Sequence, residues 1–290
     1  MITRFRRYGQ IADILFKYGF GIVIQRLFPG VHKFRVCRTC TSESAAGDFQ
    51  RIRMALEELG PTFVKFGQII STRQDMLPVA LVEELKLLQD RTNPLPFEVI
   101  RETIRESCPG YEEHFSTIEE TPVASASIAQ VHRATLKDGT PVALKVQRPG
   151  IEQIIETDIL ILESFARRAE RSIPEWRVYN PRGIVKDFAA QIRKELDFVR
   201  DGKNADLLRM QMQDLSGVKV PKIFWEYSSR RMLVMEYVDG VRVDNISAIR
   251  EFGLNPRRIA RNGFVAYMTQ IFEHGFFHGD PHPGNLLVTR

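Results

Sequence analysis

A polar motif near the carboxyl end constrains this 290-residue chain more than any other feature. It runs from His278 through Asp280 to Asn285, and an apolar Leu-Leu-Val segment follows it. An aspartate in such a loop can orient an acceptor hydroxyl, and an asparagine five residues later can bind Mg²⁺. Pro283 and Gly284 restrict the turn that brings Asn285 back toward the same metal. The spacing predicts a phosphotransferase site in which Asp280 is catalytic and Asn285 is a metal ligand.

A lysine lies inside an apolar strand pattern upstream of this motif. Residues 142–146 are Val-Ala-Leu-Lys-Val, so the methylene groups of Lys145 would be buried and its ammonium group would need an anion. A solvent-facing lysine on an edge strand is the alternative interpretation. The apolar neighbours favour a functional Lys145 that contacts the α- and β-phosphates of a nucleotide.

Small side chains precede this strand by one hairpin. A phosphate-binding loop needs residues small enough for backbone N–H groups to approach the ligand closely. The candidate loop consists of Ala124, Ser125, Ala126, Ser127, Ile128, Ala129 and Gln130, and it is rich in alanine and serine instead of glycine. Small residues are common in strand–turn segments, so this loop is informative only together with Lys145.

Three carboxylates and one strand end complete the candidate nucleotide site. Asp197 and Asp201 are one turn apart on one face of a predicted helix, and Glu195 is rotated away from them. A solvated acidic face is the alternative interpretation. Glu236 and Val238 lie at the end of a predicted strand, where backbone groups could meet an adenine ring.

The predicted elements combine helices with strand pairs, which indicates an α+β fold. The Asp138-Gly139 pair predicts a hairpin turn between the first two strands. Predicted strands are Val123–Leu136, Thr140–Gln147, Val218–Trp225 and Arg231–Tyr237, and predicted helices are 49–59, 61–75, Val79–Asp90, Phe97–Ser107, Ile151–Arg171 and Pro181–Met212, with further helix from 241 to 274. We divide the chain into segments 1–48, 49–115, 116–240 and 241–290.

Positive charge is concentrated at the amino end. Residues 1–40 carry eight basic residues and one acidic residue, while the whole chain has a net charge of +5. Residues 11–28 are apolar but contain Asp13 and Lys17, which makes them a poor membrane span. They could form an amphipathic helix on a membrane or a helix docked on the protein body. Cys37 and Cys40 have no second ligand pair, so we interpret them as loop thiols in a reducing compartment.

Together these motifs closely resemble the UbiB/ABC1/ADCK family of atypical kinase-like proteins, from about residue 50 to 290. The resemblance includes a family-specific Lys-x-Gly-Gln helix, here Lys65-Phe66-Gly67-Gln68. It also includes the alanine-rich loop, the strand lysine Lys145, Glu195-x-Asp197 and the motif from His278 to Asn285.

The resemblance implies a protein-kinase-like fold with an antiparallel-sheet N-lobe and a helical extension over the nucleotide cleft. Lys65 and Gln68 would face the site as catalytic residues and restrict access by protein substrates. It further implies ATP and Mg²⁺ as cofactors, and ATP hydrolysis or phosphorylation of a small or lipid-like acceptor. Its expected setting is ubiquinone biosynthesis, peripheral on the cytoplasmic face of the membrane. The expected partners are membrane lipid or a prenyl-quinone precursor and other ubiquinone-biosynthesis proteins, without nucleic acid.

Two departures from the family pattern bear on function. Asp201 stands where the family usually has a glutamate that pairs with the strand lysine, so either the helix lies closer or Glu195 takes part. The sequence ends at Arg290 before an Asp-Phe-Gly segment, so we expect a truncated or split product with an incomplete C-lobe. Two alternatives stay open: a small-molecule phosphotransferase of the aminoglycoside or choline kinase type, and a non-catalytic nucleotide-binding membrane scaffold.

Overall fold

The computed structural model describes residues 4–22, 47–73, 77–88 and 92–290. Cys37, Cys40 and most of the predicted linker at 40–48 lie outside these residues, as do the ends predicted for two helices at Asp75 and Asp90. Chain packing forms two compact units. Unit 1 comprises the described parts of Met1–Pro94 together with Ser125–Ala129 and Arg148–Leu196, and unit 2 comprises Leu95–Ala124, Gln130–Gln147 and Asp197–Arg290.

Helices and strands are mixed along the chain, which confirms the α+β prediction. The α-helices are α1 (Arg4–Lys17), α2 (Asp48–Leu59), α3 (Pro61–Ser71), α4 (Val79–Lys86), α5 (Phe97–Ser107), α6 (Tyr111–His114), α7 (Ile151–Ser172), α8 (Pro181–Glu195), α9 (Phe198–Gln211), α10 (Ile246–Glu251) and α11 (Pro256–Met268). The strands are β1 (Phe115–Ile118), β2 (Ala124–Ser125), β3 (Ala129–Leu136), β4 (Pro141–Gln147), β5 (Met232–Glu236), β6 (Val241–Arg242) and β7 (Leu287–Val288). Short 3₁₀ segments cover Pro174–Tyr179, Trp225–Tyr227 and Pro283–Asn285, and a π-helix covers Thr269–His274.

Unit 1 is helical, and α7 and α8 supply most of its core. Ile155 and Ile159 of α7 and Ile192 of α8 have no exposed surface, because apolar residues recur on one face of each helix. Helix α1 joins this core through Ile11, which is also fully buried. Residues 4–17 are therefore docked on the protein, which is one of the two interpretations of the amino-terminal segment.

An ion pair that the sequence did not indicate fastens α1 to α7. The Arg7 guanidinium donates to both carboxylate oxygens of Asp158 at 2.7 and 2.9 Å and to the Leu59 carbonyl at 2.8 Å. Asp158 is completely buried, so removal of Arg7 would leave an uncompensated buried charge. Asp158 lies on the apolar face of α7, three residues after Ile155 and four before Leu162, and an acid at such a position was the signal that could have predicted this pair.

Unit 2 contains an antiparallel sheet in the order β1-β3-β4-β5, with β2 also paired to β3. The predicted hairpin between β3 and β4 is confirmed: Gly139 has φ +88°, and the Asp138 carboxylate accepts the Thr140 N–H at 2.9 Å. One face of β4 presents side chains without exposed surface to α5. These are Val142, Leu144 and Val146, and they pack with Ile100 and Ile104.

Four predicted elements were wrong. The helix predicted over 241–274 starts only at Ile246, because Val241–Arg242 form β6, and it is divided between α10 and α11. The single helix predicted over 181–212 is two helices, α8 and α9, because the Asp197 backbone is extended and its carboxylate caps α9 by accepting the Val199 N–H. The segment 218–225 is not a strand; only an isolated bridge joins Ile223 to Met235, in a segment where Pro221 lacks an N–H donor. The strand predicted over 123–136 is interrupted between β2 and β3. Among the described residues, no helix is long and apolar enough to cross a membrane.

Candidate functional site

The strand lysine and a helix carboxylate meet in unit 2. The Lys145 ammonium of β4 lies 2.6 Å from the Asp201 carboxylate of α9, and each side chain is about one-third exposed. The expected ion pair is therefore formed with the shorter aspartate. The Lys145 Nζ is also 4.4 Å from the centre of the Phe198 ring, which favours a cation at this point. A lysine held in this way presents a charged group that phosphate could share.

Packing of α9 against β5 brings Asp201 close enough. Gly202 follows Asp201, and a Cβ at this glycine would lie 2.6 Å from the Trp225 ring and 3.0 Å from Leu233. Helix α9 can approach the sheet because position 202 has no side chain. Phe198 is fully buried, and its N–H donates to the Arg230 carbonyl at 3.1 Å. These contacts explain how an aspartate serves where a longer carboxylate was expected.

The carboxyl-terminal motif forms a compact polar loop, also in unit 2. The Asn285 amide donates to the Asp280 carboxylate at 2.9 Å and to the Asp280 carbonyl at 3.1 Å. The His282 Nδ1 accepts the Gly284 N–H at 3.1 Å and starts the short 3₁₀ segment that carries Asn285. The structure thus brings together Asp280 and Asn285, the two residues that the spacing predicted.

Neighbouring elements fix both ends of this loop. On its amino side, the Gln270 side chain accepts the His278 N–H at 3.0 Å, and the Tyr267 hydroxyl donates to the His278 carbonyl at 2.5 Å. On its carboxyl side, β7 pairs with β6 in the register Val241 to Val288. A Cβ at Gly240 would lie 2.8 Å from the Val288 carbonyl oxygen, so this close pairing requires glycine.

The small-residue loop is held by an arginine that sequence analysis missed. In unit 1, the Arg148 guanidinium donates to the Ala126 carbonyl and the Ser125 hydroxyl, both at 2.8 Å. It also donates to the Thr92 hydroxyl and the Asn93 carbonyl, while the Arg148 N–H donates to the Ile128 carbonyl. An arginine before the Pro-Gly turn that starts α7 was the available signal. Arg148 determines the curvature of residues 125–128.

Side chains in the loop point mainly into the protein. Ser127, Ile128, Ala129 and Gln130 are buried, and Ala124, Ser125 and Ala126 are the more accessible residues. In unit 2, the Gln130 side chain accepts the Leu95 N–H at 2.5 Å, and its amide lies 3.4 Å from His132 Nε2. Backbone groups, not the Gln130 side chain, are therefore the groups that this segment offers to a ligand.

His132 of β3, in unit 2, is a buried and neutral imidazole. It has no exposed surface, and burial lowers its pKa because the charged form would lose its hydration. Its Nδ1 is 2.8 Å from the Glu119 carbonyl, which assigns the proton to Nδ1 and leaves Nε2 as acceptor. The imidazole fixes a local network and is not exposed to a ligand.

Each of the four residues of the Lys-x-Gly-Gln motif has a contact within unit 1. The Lys65 ammonium is 3.3 Å from the Glu195 carboxylate, and the Gln68 amide donates to the Leu88 carbonyl at 3.0 Å. Phe66 packs edge-on against Phe188 with 5.1 Å between ring centres. A Cβ at Gly67 would lie 2.3 Å from the Leu88 side chain and 3.0 Å from the Leu56 side chain, so a larger residue would force these packed leucines to move. Glu195 therefore pairs with Lys65 in unit 1 and is not the partner of Lys145.

Three predicted nucleotide-site residues remain, Asp197, Glu236 and Val238, and their polar groups differ in their hydrogen bonding. Asp197 caps α9, as described above. The Glu236 carboxylate lies 2.5 Å from the Lys219 ammonium, and the Glu236 N–H donates to the Lys222 carbonyl at 2.8 Å, so both groups already have partners. Within the described residues, no hydrogen bond occupies the Val238 N–H, which remains able to bind a ring nitrogen.

The donor set suits Mg²⁺ delivered with phosphates. No group of three or more histidine, cysteine, aspartate or glutamate side chains able to hold a metal occurs in the part of the chain that the structure describes. Since the Asn285 amide nitrogen faces Asp280, its oxygen and one Asp280 oxygen remain as hard ligands. Mg²⁺ is commonly bound by one or two protein oxygens together with substrate phosphates and water. The Asn285 oxygen meets that requirement by itself and leaves the free Asp280 oxygen unused by the metal.

Comparison with known proteins gives consistent matches. A sequence model of the ABC1 atypical kinase-like domain matches residues 87–290. The chain is 43% identical over 239 residues to "Probable protein kinase UbiB" of Marinobacter nauticus, covering 82% of this chain and 44% of that protein. It is 40% identical over 242 residues to the protein of the same name from Photobacterium profundum, with coverages of 83% and 44%. The chain thus spans under half the length of these relatives.

One similar solved structure supports the kinase-like fold. It is Rv3197 from Mycobacterium tuberculosis, solved in complex with erythromycin, with a TM-score of 0.56 and 27% sequence identity. The similarity covers 80% of this chain and 58% of that chain.

Proposed function

Because this chain belongs to the ABC1 atypical kinase-like family, we propose that it binds Mg-ATP and uses it in ATP hydrolysis or in phosphorylation of a small or lipid-like acceptor. The observation that carries this proposal is the Lys145–Asp201 ion pair on the antiparallel sheet. An exposed, preformed ammonium group beside a carboxylate can bind the α- and β-phosphates while its orientation stays fixed.

The loop from Asp280 to Asn285 would supply the reacting end of the site. The Asp280 carboxylate accepts a hydrogen bond from Asn285, which fixes its orientation toward an incoming hydroxyl or water. From there it can hold the proton of the nucleophile. The Asn285 oxygen would hold Mg²⁺ together with the phosphates, and the ion would neutralise developing phosphate charge.

The biological setting that we propose is prenyl-quinone biosynthesis, ubiquinone in particular, at a membrane. The support is the family itself, in which the similar curated relatives carry the name UbiB. A prenyl-quinone precursor or a membrane lipid is the proposed acceptor class, and other proteins of the same biosynthesis are proposed partners.

Binding of ATP to the purified 290-residue chain, with and without Mg²⁺, tests the proposal. We expect Mg²⁺-dependent binding, and we expect Lys145→Ala to abolish it because the phosphates lose their cation. Lys137→Ala is the matched control, since Lys137 lies in the turn of the same hairpin and is exposed. Circular dichroism of each variant establishes that it is folded.

The proposal fails if folded wild-type chain does not bind ATP, or if Lys145→Ala binds it with wild-type affinity. A test of turnover uses Asp280→Asn in a preparation that hydrolyses ATP. This variant should retain ATP and lose hydrolysis, and retained hydrolysis would remove Asp280 from the mechanism.

A further inference from the structure

An exposed aromatic and aliphatic cluster lies at the turn between α7 and α8 in unit 1. The turn is the 3₁₀ segment Pro174–Tyr179, in which Trp176 is 41%, Val178 is 85% and Tyr179 is 49% exposed. Single exposed apolar residues are ordinary, but three within four positions at one tip indicate a contact surface. Ile173 is buried directly before them, so the segment is anchored at its base.

The same turn carries a concentration of positive charge. Residues 167–182 contain five arginines and two glutamates, a net charge of +3 within sixteen positions. The Arg177 guanidinium donates to the Glu170 carbonyl at 2.9 Å, and the Asn180 side chain accepts the Gly183 N–H at 3.1 Å. These bonds order the turn, so its aromatic residues would bind a partner without much loss of conformational freedom.

Helix α1 of the same unit carries a similar set of side chains near its amino end. Tyr8 contacts Phe165 of α7 edge-on with 6.2 Å between ring centres, which places the amino end of α1 beside the second half of α7. Phe5 lies about one turn before Tyr8, is 90% exposed, and stands between Arg4 and Arg6. Two elements that are distant in sequence therefore carry the same combination of arginine and exposed aromatic side chains.

We propose that this tip surface, formed by residues 167–182, binds the surface of an anionic phospholipid bilayer. Arginine attracts anionic headgroups, and tryptophan and tyrosine favour the headgroup region of a bilayer. The exposed Val178 favours lipid over nucleic acid, because a bilayer has an apolar region that can bury an aliphatic side chain and a phosphate backbone does not. The inference rests on the membrane setting of the proposed function and specifies where the chain would contact the membrane.

Vesicle flotation of the 290-residue chain without nucleotide tests the tip surface. We expect binding to vesicles of phosphatidylcholine mixed with phosphatidylglycerol, and weak binding to phosphatidylcholine alone or at high salt. The triple variant W176S/V178S/Y179S and the double variant R167Q/R171Q should each lower binding about tenfold. All five side chains are exposed, so folding should be preserved.

Two further measurements make the result specific. The chain has two tryptophans, so W225F leaves Trp176 as the sole emitter, and its fluorescence should shift to the blue on anionic vesicles. V79S removes an exposed apolar side chain from α4 and should bind vesicles like wild type. Lys145→Ala should also bind vesicles normally, so a failed ATP site and a failed tip surface give different results.

Three outcomes would overturn the assignment. The first is no wild-type binding to anionic vesicles, and the second is unchanged binding of the triple variant. The third is capture of the chain by a nucleic-acid duplex with no binding to lipid, which would assign the positive charge to a different partner.

Discussion

The Lys65 ammonium of α3 lies 3.3 Å from the Glu195 carboxylate at the end of α8. Asp201, by contrast, pairs with Lys145 at 2.6 Å in unit 2. The two carboxylates therefore serve different lysines, and the conformational break at Leu196–Asp197 separates the helices that carry them. Asp201, and not Glu195, is therefore the acid that pairs with the strand lysine Lys145.

The Lys65–Glu195 pair should make a small contribution to stability. Both side chains are partly exposed, and such pairs contribute about 0.2–1 kcal/mol. We expect a double-mutant cycle of Lys65→Ala and Glu195→Gln to give a coupling free energy in this range, measured by urea unfolding. Zero coupling would show that the ion pair is not maintained in solution. Loss of ATP binding in Lys65→Ala with unchanged stability would separate a functional role from this structural one.

Gly67→Ala should destabilise the protein, because its Cβ would lie 2.3 Å from Leu88 and 3.0 Å from Leu56. Overpacking of this kind costs about 1–3 kcal/mol in the free energy of unfolding. Gly263→Ala is the matched control, since this glycine is also inside a helix, α11, and its Cβ would meet nothing within 4 Å. The control should gain about 0.5–1 kcal/mol from helix propensity. Equal effects of the two variants in chemical denaturation would contradict the close packing of α3.

Short sequence patterns were sufficient to predict two parts of the site, the β3–β4 hairpin and the loop from Asp280 to Asn285. The alternating residues of β4 and the Asp138-Gly139 pair predicted the hairpin that presents Lys145. The spacing within the motif from Asp280 to Asn285 predicted that the chain brings these two residues back together, and their side chains are 2.9 Å apart. In both cases the determining residues are close together in sequence, so periodicity and turn chemistry carry the information.

Two features that the sequence did not indicate depend on tertiary packing: the break between α8 and α9 and the contacts of Arg148. Residues 194–201 continue a helical pattern, but burial of Leu196 and Phe198 on either side of Asp197 requires an extended backbone between them. Aspartate is a common helix cap, but Asp197 within a continuous helical pattern did not by itself indicate a break. Arg148 was missed for the same reason: its partners lie 22 to 56 positions away in sequence.

Arg148→Lys should loosen the small-residue loop while keeping the positive charge. Lysine cannot reproduce the planar fork that donates to Ser125, Ala126 and Asn93 together. We expect faster hydrogen exchange at the Ala126 N–H, which donates to the Ala129 carbonyl, and a severalfold loss of ATP affinity. Exchange is measured by mass spectrometry on peptides that cover residues 124–130.

Arg182→Lys provides the matched control for this substitution, because Arg182 is exposed at the start of α8. It should leave exchange in the loop unchanged. Protection of the Ala126 N–H in Arg148→Lys equal to wild type would show that Arg148 does not hold the loop.

The buried His132 should make stability fall on mild acidification. Burial lowers its pKa in the folded state, so below about pH 6.5 the unfolded chain binds a proton that the folded chain does not. Neutral His132 makes its full contribution to the free energy of unfolding above that pH. This contribution is lost as the pH decreases toward the pKa of His132 in the folded state. The slope for one such proton is at most about 1.4 kcal/mol per pH unit.

His132→Asn tests this contribution, since asparagine can donate to the Glu119 carbonyl and cannot titrate. Urea unfolding at pH 7, 6 and 5 should give a shallower decrease in the free energy of unfolding for this variant than for wild type. His274→Asn, at an exposed histidine, is the matched control. Parallel curves for wild type and His132→Asn would mean that the imidazole gains a proton in the folded state, and would contradict the neutral, Nδ1-protonated form that the contact with Glu119 assigns.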